Sequence, residues 1–490
     1  MHLIILTLYL ISMTGILLYC LLQLTLAFRY IRYRKENNPG LPDLDLGRVG
    51  DIPAVTIQLP LYNERYVAER LIRSVLAINY PKEKLEIQVL DDSTDDTVEI
   101  VSRLISEFQN DYQVKHIRRS DRKHFKAGAL QHGLDIAKGG FIAIFDADFI
   151  PDRDFLIKTL PYFADPEVGM VQSRWEHLNR DLNLLTHLQA FAIDVHFSIE
   201  QTGRNSGGYF MNFNGTGGIW RKETIVDAGG WSAETLTEDL DLSYRAQLKG
   251  WKFKYLEGLA SPAELPAEIS SYKTQQFRWN KGGAETAKKI LPKVIRSEIP
   301  FMNKVHAFAH LLNSSVYLFV LSSILLSLPM IFVIKNYFSE GYFYLSFFLL
   351  ASIATAMVFF IALYSRLGSS RKTIQYYLWL FPSFIAVNIG MSLYISIAVL
   401  KGYFGIKSSF IRTPKFNVSG KSDAWKSNIY LKHRLNLIAI LEGILALYFF
   451  FGIWLGINQD TAAMIPLHIL AGLGFSIVFL HSVHPLLKRT

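Results

Sequence analysis

Apolar positions along the 490-residue chain follow two regimes. Residues 3–28 and most of 307–483 are long apolar runs, whereas 51–300 alternates short apolar runs with charged ones. A helix needs about 20 apolar residues to cross about 30 Å of hydrocarbon. The first run is long enough, and so are segments near 307–334, 342–365, 374–400, 435–457 and 464–483. No basic residue directly precedes the first run, and no small-residue cleavage site follows it. Residues 1–28 therefore read as a retained transmembrane anchor.

Between the membrane runs the pattern is that of an α/β domain. AVTIQLP (54–60), LEIQVLDDS (85–93), QVKHI (113–117), FIAIF (141–145) and VGMVQSRW (168–175) read as strands. Helices fall between them, one with Val67, Leu71, Ile72 and Val75 on one face, another with Val98, Val101, Leu104 and Ile105. Strand and helix alternate, so the sheet is expected to be mostly parallel, with a ligand site beyond the carboxyl ends of its strands. Residues 29–53 read as a linker, 54–290 as the catalytic unit and 291–490 as a membrane region.

Charge then orients the chain. Arg29, Arg32, Arg34 and Lys35 follow the anchor, which places the next domain in the cytoplasm. Arg366, Arg371 and Lys372 pull loop 366–372 inside, and the many basic residues of 401–434 pull that loop inside too. Only 374–400 separates the two loops. Four crossings after the domain satisfy every charge and five do not, so 374–400, with Pro382 and Gly390, is expected to be broken and partly interfacial or re-entrant. The net charge of +9 lies in such loops and suits anionic lipid headgroups, not nucleic acid. The single cysteine, Cys20, lies in the anchor and excludes an intrachain disulfide framework.

Candidate chemistry gathers at strand ends. Asp146 and Asp148 flank Ala147 where the fourth strand runs out, an arrangement that suits Mg²⁺ or Mn²⁺ holding a diphosphate, or else a solvated turn. Glu64, Asp91 and Asp92 end the first two strands. An edge lined only with carboxylates repels a nucleotide diphosphate; a cation at the last pair removes that conflict, and Lys126 supplies further positive charge. In the Gly- and aromatic-rich stretch 206–221, Asn214 and Thr216 can bond sugar hydroxyls and the glycines, Gly215 among them, allow close approach, unless the stretch is only a hairpin. Thr237-Glu238-Asp239 opens a helix. Thr237 fits an N-cap, and Asp239 alternatively fits a general base for an acceptor hydroxyl. Gln275, Arg278 and Trp279 stand just before the membrane, where Arg278 can grip phosphate and Trp279 can stack on a sugar ring, or both can mark the interface.

In this order and spacing the four motifs, Asp91-Asp92, Asp146-Ala147-Asp148, Thr237-Glu238-Asp239 and Gln275…Arg278-Trp279, resemble the family-2 glycosyltransferases of the cellulose synthase superfamily, across roughly 50–300. QLPLYNE, FKAGAL, IFDADF, FNGTGG and QQFRW look most like the cellulose-synthase-like mannan and glucan synthases. The resemblance implies a GT-A-like domain and inverting transfer of a hexose from UDP-glucose or GDP-mannose to a growing β-1,4-glycan, with possible export of the chain. It assigns Asp239, with Glu238 and Asp148, to catalysis and Asp146 and Asp148 to the metal. Tyr62, Glu64, Asp91, Asp92, Lys126, Asp146 and Arg278 would hold the nucleotide sugar. Asn214, Gly215, Thr216, Gln275 and Trp279 would hold the acceptor. Phe410-Ile411-Arg412-Thr413-Pro414-Lys415 resembles the family's FxVTxK gating loop, with Arg412 in place of valine. The chain ends seven residues after its last apolar segment, so control by cyclic di-GMP within it is not expected.

Two other readings compete: a transferase that adds one sugar to a membrane lipid, which needs no channel, and a non-enzymatic scaffold, which the full set of catalytic side chains argues against. Donor, linkage, oligomeric state and partner subunits are not encoded in any motif.

Overall fold

A computed structural model describes residues 2–36, 52–337, 349–408, 411–418, 437–459, 461 and 464–487. Most of the expected linker, much of loop 401–434 including Phe410, and the terminal Lys488 and Arg489 lie outside these residues.

The chain opens with helix α1 (His2–Glu36) and then enters an α/β domain. Its first half is β1 (Val55–Leu61), α2 (Ala68–Leu76), β2 (Leu85–Asp91), α3 (Thr97–Phe108), β3 (Gln113–Ile117), α4 (Phe125–Ile136) and β4 (Phe141–Ile144). The second half is α5 (Phe155–Thr159), β5 (Val168–His177), α6 (Leu184–Val195), α7 (Thr202–Gly207), β6 (Gly218–Arg221), α8 (Lys222–Asp227), α9 (Glu238–Leu248) and β7 (Lys252–Ala263). The strands form one sheet in the order β3-β2-β1-β4-β6-β5-β7. β1 to β4 pair in parallel, β6 runs antiparallel to both its neighbours, and β7 is parallel to β5. The expected strands are all present. β7 was not anticipated, because Lys252, Lys254 and Glu257 interrupt its apolar residues.

Alternation along each strand divides the core. Ala143 and Phe145 join Ile57, Leu59, Leu71 and Val75 on one face of the sheet; Ile142 and Ile144 join Leu130, Trp220 and Trp231 on the other. Under α4 that second face also buries a polar row. Thr56 Oγ1 donates to Glu86 Oε2 (2.7 Å), and Gln58 Nε2 donates to Gln88 Oε1 (3.0 Å), which satisfies groups that could not otherwise be buried.

Among the described residues, six helices, α1 among them, are long and apolar enough to cross a membrane. The domain runs into them through α10 (Ile269–Arg296) and α11 (Phe301–Leu311). α12 (Val316–Tyr337), α13 (Leu349–Leu367), α14 (Ser370–Tyr403), α15 (Leu437–Asn458) and α16 (Ile465–Leu487) follow. The run expected at 307–334 is two helices, divided by the short turn Asn313–Ser315.

The break expected within 374–400 is absent. α14 continues through Pro382, which lies on its exposed face. Gly390 is not a break either: a Cβ there would lie 2.3 Å from the Gly474 carbonyl oxygen, so the glycine lets α14 and α16 touch backbone to backbone. Both ends of α14 meet the catalytic domain. Arg366, just before it, pairs with Asp194 (3.0 Å), and Lys288 donates to the Tyr403 carbonyl (2.9 Å) at its far end. The catalytic domain thus contacts the chain near both ends of α14.

Candidate active site

Two clefts open along the carboxyl edge of the sheet. They share five residues: Lys126, Asp146, Asp148, Arg278 and Lys415. Each cleft is assembled where strands end and the chain must turn.

After β1, Asn63 adopts a left-handed conformation (φ 56°) and its Oδ1 accepts from Thr94 N (2.8 Å), which turns Glu64 into the first cleft. After β2, adjacent acids diverge. Asp92 faces the cleft and is gripped by both Nε and Nη2 of Arg119. Asp91 does not line it: its Oδ2 meets His116 Nε2 at 2.8 Å and its Oδ1 accepts from Ser93 N at 2.9 Å. Asp91, also expected to hold the nucleotide sugar, is thus bonded within the β2 turn and off the cleft lining, since neighbouring residues at a strand end point to opposite sides. Tyr62 lines the same cleft with the Arg122 guanidinium 3.2 Å over its ring.

His124 and Phe125 both carry positive φ (65° and 48°), uncommon for such side chains, and this tight entry to α4 delivers Lys126 to the junction. Its Nζ donates to Asp146 Oδ1 (2.5 Å) and to the Gly215 carbonyl (2.9 Å). Burial would depress this lysine, but Asp146 and Glu238 outweigh it and hold the ammonium above its ordinary range. Asp148 is almost fully buried; its Oδ2 accepts from Lys415 Nζ (2.6 Å), and its Oδ1 is buried without a hydrogen-bond partner.

Residues 411–418 cross both clefts. Arg412 forms a two-bond pair with Glu64 (2.8 and 2.7 Å), Thr413 Oγ1 accepts from Arg278 Nη2 (3.1 Å), and Lys415 reaches Asp148. The segment is fastened at Glu264, on the lining of the second cleft. Glu264 Oε2 accepts from Phe416 N and Asn417 N (3.0 Å each), Arg70 bonds both Glu264 and Asn417, and Phe416 and Val418 are buried against Ala267. The departure from the family pattern at Arg412 thus has a partner, Glu64. Burial raises the Glu64 carboxyl to about 7 even against Arg412 and Lys415.

The second cleft is lined by Asn214, Gly215, Glu238, Asp239, Gln275 and Trp279. Thr216, also expected at the acceptor, is not in its lining: it is fully buried, and its Oγ1 accepts from Asp146 N (2.8 Å) in the DAD turn. Gly215 (φ 79°) lies so close to the base candidate that a Cβ would sit 3.0 Å from Asp239 Oδ2. Thr237 stands at the start of α9, but its side chain does not cap the helix; its hydroxyl meets that of Thr286 (3.0 Å). Burial, then the neighbouring Glu238, raises the Asp239 carboxyl to about 7 against the opposing pull of Lys126. Glu238 is raised as well, again chiefly by burial.

Sequence reasoning missed Phe149, Trp175 and His177 in this cleft. Trp175 stacks on Phe197 (centroids 5.2 Å, 29°) and lies 6.4 Å from Trp279, so an aromatic wall faces Asp239. A tryptophan at the end of an apolar strand was the available signal.

Asp146 and Asp148 fit a divalent cation. They are two hard oxygen donors at the junction, one with a buried oxygen that has no partner. Among the described residues no group of three or more acids, histidines or cysteines is placed to hold a metal. Two carboxylates with the rest of the shell left to water and phosphate is the usual mode for Mg²⁺.

Residues 53–282 match the model of the family described as glycosyltransferase like family 2. Probable glucomannan 4-beta-mannosyltransferase 3 of Oryza sativa subsp. japonica is 41% identical over 269 residues, 54% of this chain and 49% of its own. Glucomannan 4-beta-mannosyltransferase 1 of Cyamopsis tetragonoloba is 40% identical over 282 residues, 56% of this chain and 53% of its own. The chain thus spans about half the length of the curated relatives it matches. Among solved structures, mannosyltransferase PcManGT from Pyrobaculum calidifontis, in complex with GDP-Man and Mn²⁺, superposes with a TM-score of 0.56 at 19% identity. The match covers 82% of this chain and all of that one, and it shows a shared GT-A fold.

Proposed function

We propose a specific reaction for this chain, which belongs to the family-2 glycosyltransferases: inverting transfer of a hexose, mannose first among candidates, from a nucleoside diphosphate sugar to the end of a β-1,4-glycan. The observation that carries it is the meeting of two clefts at the DAD turn, with a high-pKa carboxylate, Asp239, on the aromatic side. Donor and acceptor can then approach the same point from opposite sides.

In this reading the first cleft takes the nucleotide. Tyr62 and Arg122 offer a stacked face for the base, and Asp92 stands by for ribose or base donors. Asp146 and Asp148 would hold Mg²⁺ or Mn²⁺, which when bound neutralises charge on the departing diphosphate. Lys126 and Arg278 add fixed positive charge at the same place. The second cleft takes the acceptor. Trp175 and Trp279 offer flat apolar faces to pyranose rings, and Asp239 takes the proton from the attacking hydroxyl. Burial first, then Glu238 against Lys126, sets the protonation of Asp239.

The relatives named as glucomannan mannosyltransferases and the neighbour bound to GDP-Man make GDP-mannose the first donor to offer. The aromatic wall favours a saccharide acceptor over a lipid one. Processive extension, export through the membrane helices and a cytoplasmic catalytic domain complete the proposal.

The test is incorporation of radiolabelled sugar by purified protein in proteoliposomes, offered GDP-mannose or UDP-glucose with Mn²⁺, Mg²⁺ or chelator. Metal-dependent polymer from one donor, cleaved by a β-1,4-specific glycanase, supports the reading. Label confined to lipid would replace it with the lipid transferase.

A further inference from the structure

Behind the acceptor cleft, the helical run from α6 to α7 widens into a single π-helical stretch, His196–Gln201. Such stretches recur at functional sites, since the extra residue shifts side chains off the regular α-helical rows. Here it presents two groups toward the cleft. Phe197 backs Trp175, and the His196 ring reaches Asn214, which lines the cleft itself.

The contacts of His196 fix more than a position. Its Nδ1 lies 2.9 Å from Glu200 Oε2, and its Nε2 lies 3.0 Å from Asn214 Oδ1. Asn214 Oδ1 also accepts from Asn212 Nδ2 at 2.8 Å, and Asn212 is tied in turn by Gln201 Nε2 to its carbonyl (3.0 Å). Both atoms facing the ring are acceptor oxygens, so the ring is held between them. Burial would raise the Glu200 carboxyl, yet the bond from His196 and the guanidinium of Arg204, 3.7 Å away, hold it below its ordinary value. With Oδ1 engaged twice and its backbone N–H given to Gln172 Oε1 (3.0 Å), Asn214 has one group left: its Nδ2 is buried without a partner.

We propose that Glu200 and His196 are a positioning pair that locks the Asn214 amide with its Nδ2 free to donate to a hydroxyl oxygen of the acceptor's terminal sugar. The inference deepens the glycan-acceptor reading and rests on it. It assigns no bond making or breaking to either residue. The pair orients a donor, and the benefit lies in an amide that need not be ordered when the sugar arrives.

The experiment uses full-length protein in nanodiscs without nucleotide sugar, with β-1,4-mannohexaose and cellohexaose as probes and tryptophan fluorescence as the readout, since Trp175 and Trp279 line the cleft. Wild type is compared with His196→Ala, His196→Gln and Glu200→Gln, and Mn²⁺-supported hydrolysis of GDP-mannose or UDP-glucose is followed in parallel. Loss of one well-formed hydrogen bond corresponds to roughly tenfold weaker binding. His196→Ala and Glu200→Gln are expected to weaken the hexasaccharide by about that factor with donor hydrolysis within about twofold of wild type, and His196→Gln, which keeps an amide donor, to recover part of the loss. Wild-type affinity in both Glu200→Gln and His196→Ala overturns the pair. So does a fall in hydrolysis matching the fall in affinity, which a merely structural role would produce. A wild type that hydrolyses donor but binds neither hexasaccharide overturns the acceptor reading itself, and the pair with it.

Discussion

Lys415 Nζ lies 2.6 Å from Asp148 Oδ2, so a cation carried by the 411–418 segment occupies one of the two carboxylates proposed to hold the metal. Arg412 does the same to Glu64 at the other end of the nucleotide cleft. Two loop-borne charges thus compensate buried acids that would otherwise repel one another and a diphosphate alike. In the proposed reaction a metal-bound donor would bring its own cation and anion and take over these partners.

That competition is measurable. Replacing Lys415 by Met removes the charge while keeping the length of the side chain, so donor-free protein is expected to bind Mn²⁺ several-fold tighter. The partly buried pair contributes on the order of 1 kcal/mol against the ion. Titration by electron paramagnetic resonance checks it. Weaker Mn²⁺ binding in the variant would mean that Lys415 assists the metal site instead of competing with it.

The pH dependence follows from Asp239. Burial and Glu238 raise its carboxyl to about 7, and a general base works only when ionised. Transfer is therefore expected to rise with pH up to about 7 and then level off. Glu64 is raised to the same region by burial, so the profile is repeated on Glu64→Gln. The rising limb persists in that variant if Asp239 carries it and disappears if Glu64 does.

Gly215 tests the junction sterically. Its φ of 79° strains any alanine there, and the 3.0 Å between a built Cβ and Asp239 Oδ2 means that the carboxylate must shift to admit one. Gly215→Ala is expected to cost about 1 kcal/mol or more of stability through backbone strain and to lower turnover by at least tenfold through displacement of the base. Thermal unfolding and initial rates, measured together, separate the two effects.

The membrane region has an equally tight point. A Cβ at Gly474 would lie 1.9 Å from the Ala386 carbonyl oxygen, a backbone atom that cannot move aside. Gly474→Val is expected to destabilise the protein by about 1–3 kcal/mol, read as a lower midpoint of thermal unfolding in detergent. An unchanged midpoint would mean that α14 and α16 do not pack as described.

The sequence was legible where a residue's role depends on its own strand or helix. Apolar runs ending in acids located β1, β2 and β4, and the spacing of Leu71, Ile72 and Val75 located α2. It was not legible where the role depends on which way a side chain turns at an element's end. Asp91 and Asp92 are indistinguishable as letters, yet one bonds His116 and the other faces the cleft. Thr216 and Asn214 are two residues apart, and only Asn214 lines the cleft. Pro382 signalled a break, but a helix in apolar surroundings leaves more backbone groups unsatisfied by breaking than by continuing. The contact of Arg412 with Glu64 joins residues far apart in sequence, and no local pattern encodes it.

The central claim is that Asp239 supplies the base where the two clefts meet. The most direct measurement compares Asp239→Asn with wild type for donor binding and for transfer, using the donor that wild type accepts. The account predicts nucleotide affinity within about twofold, since Asp239 does not line the nucleotide cleft, and transfer reduced by about 10²- to 10⁴-fold. Transfer at the wild-type rate with intact nucleotide binding would contradict it.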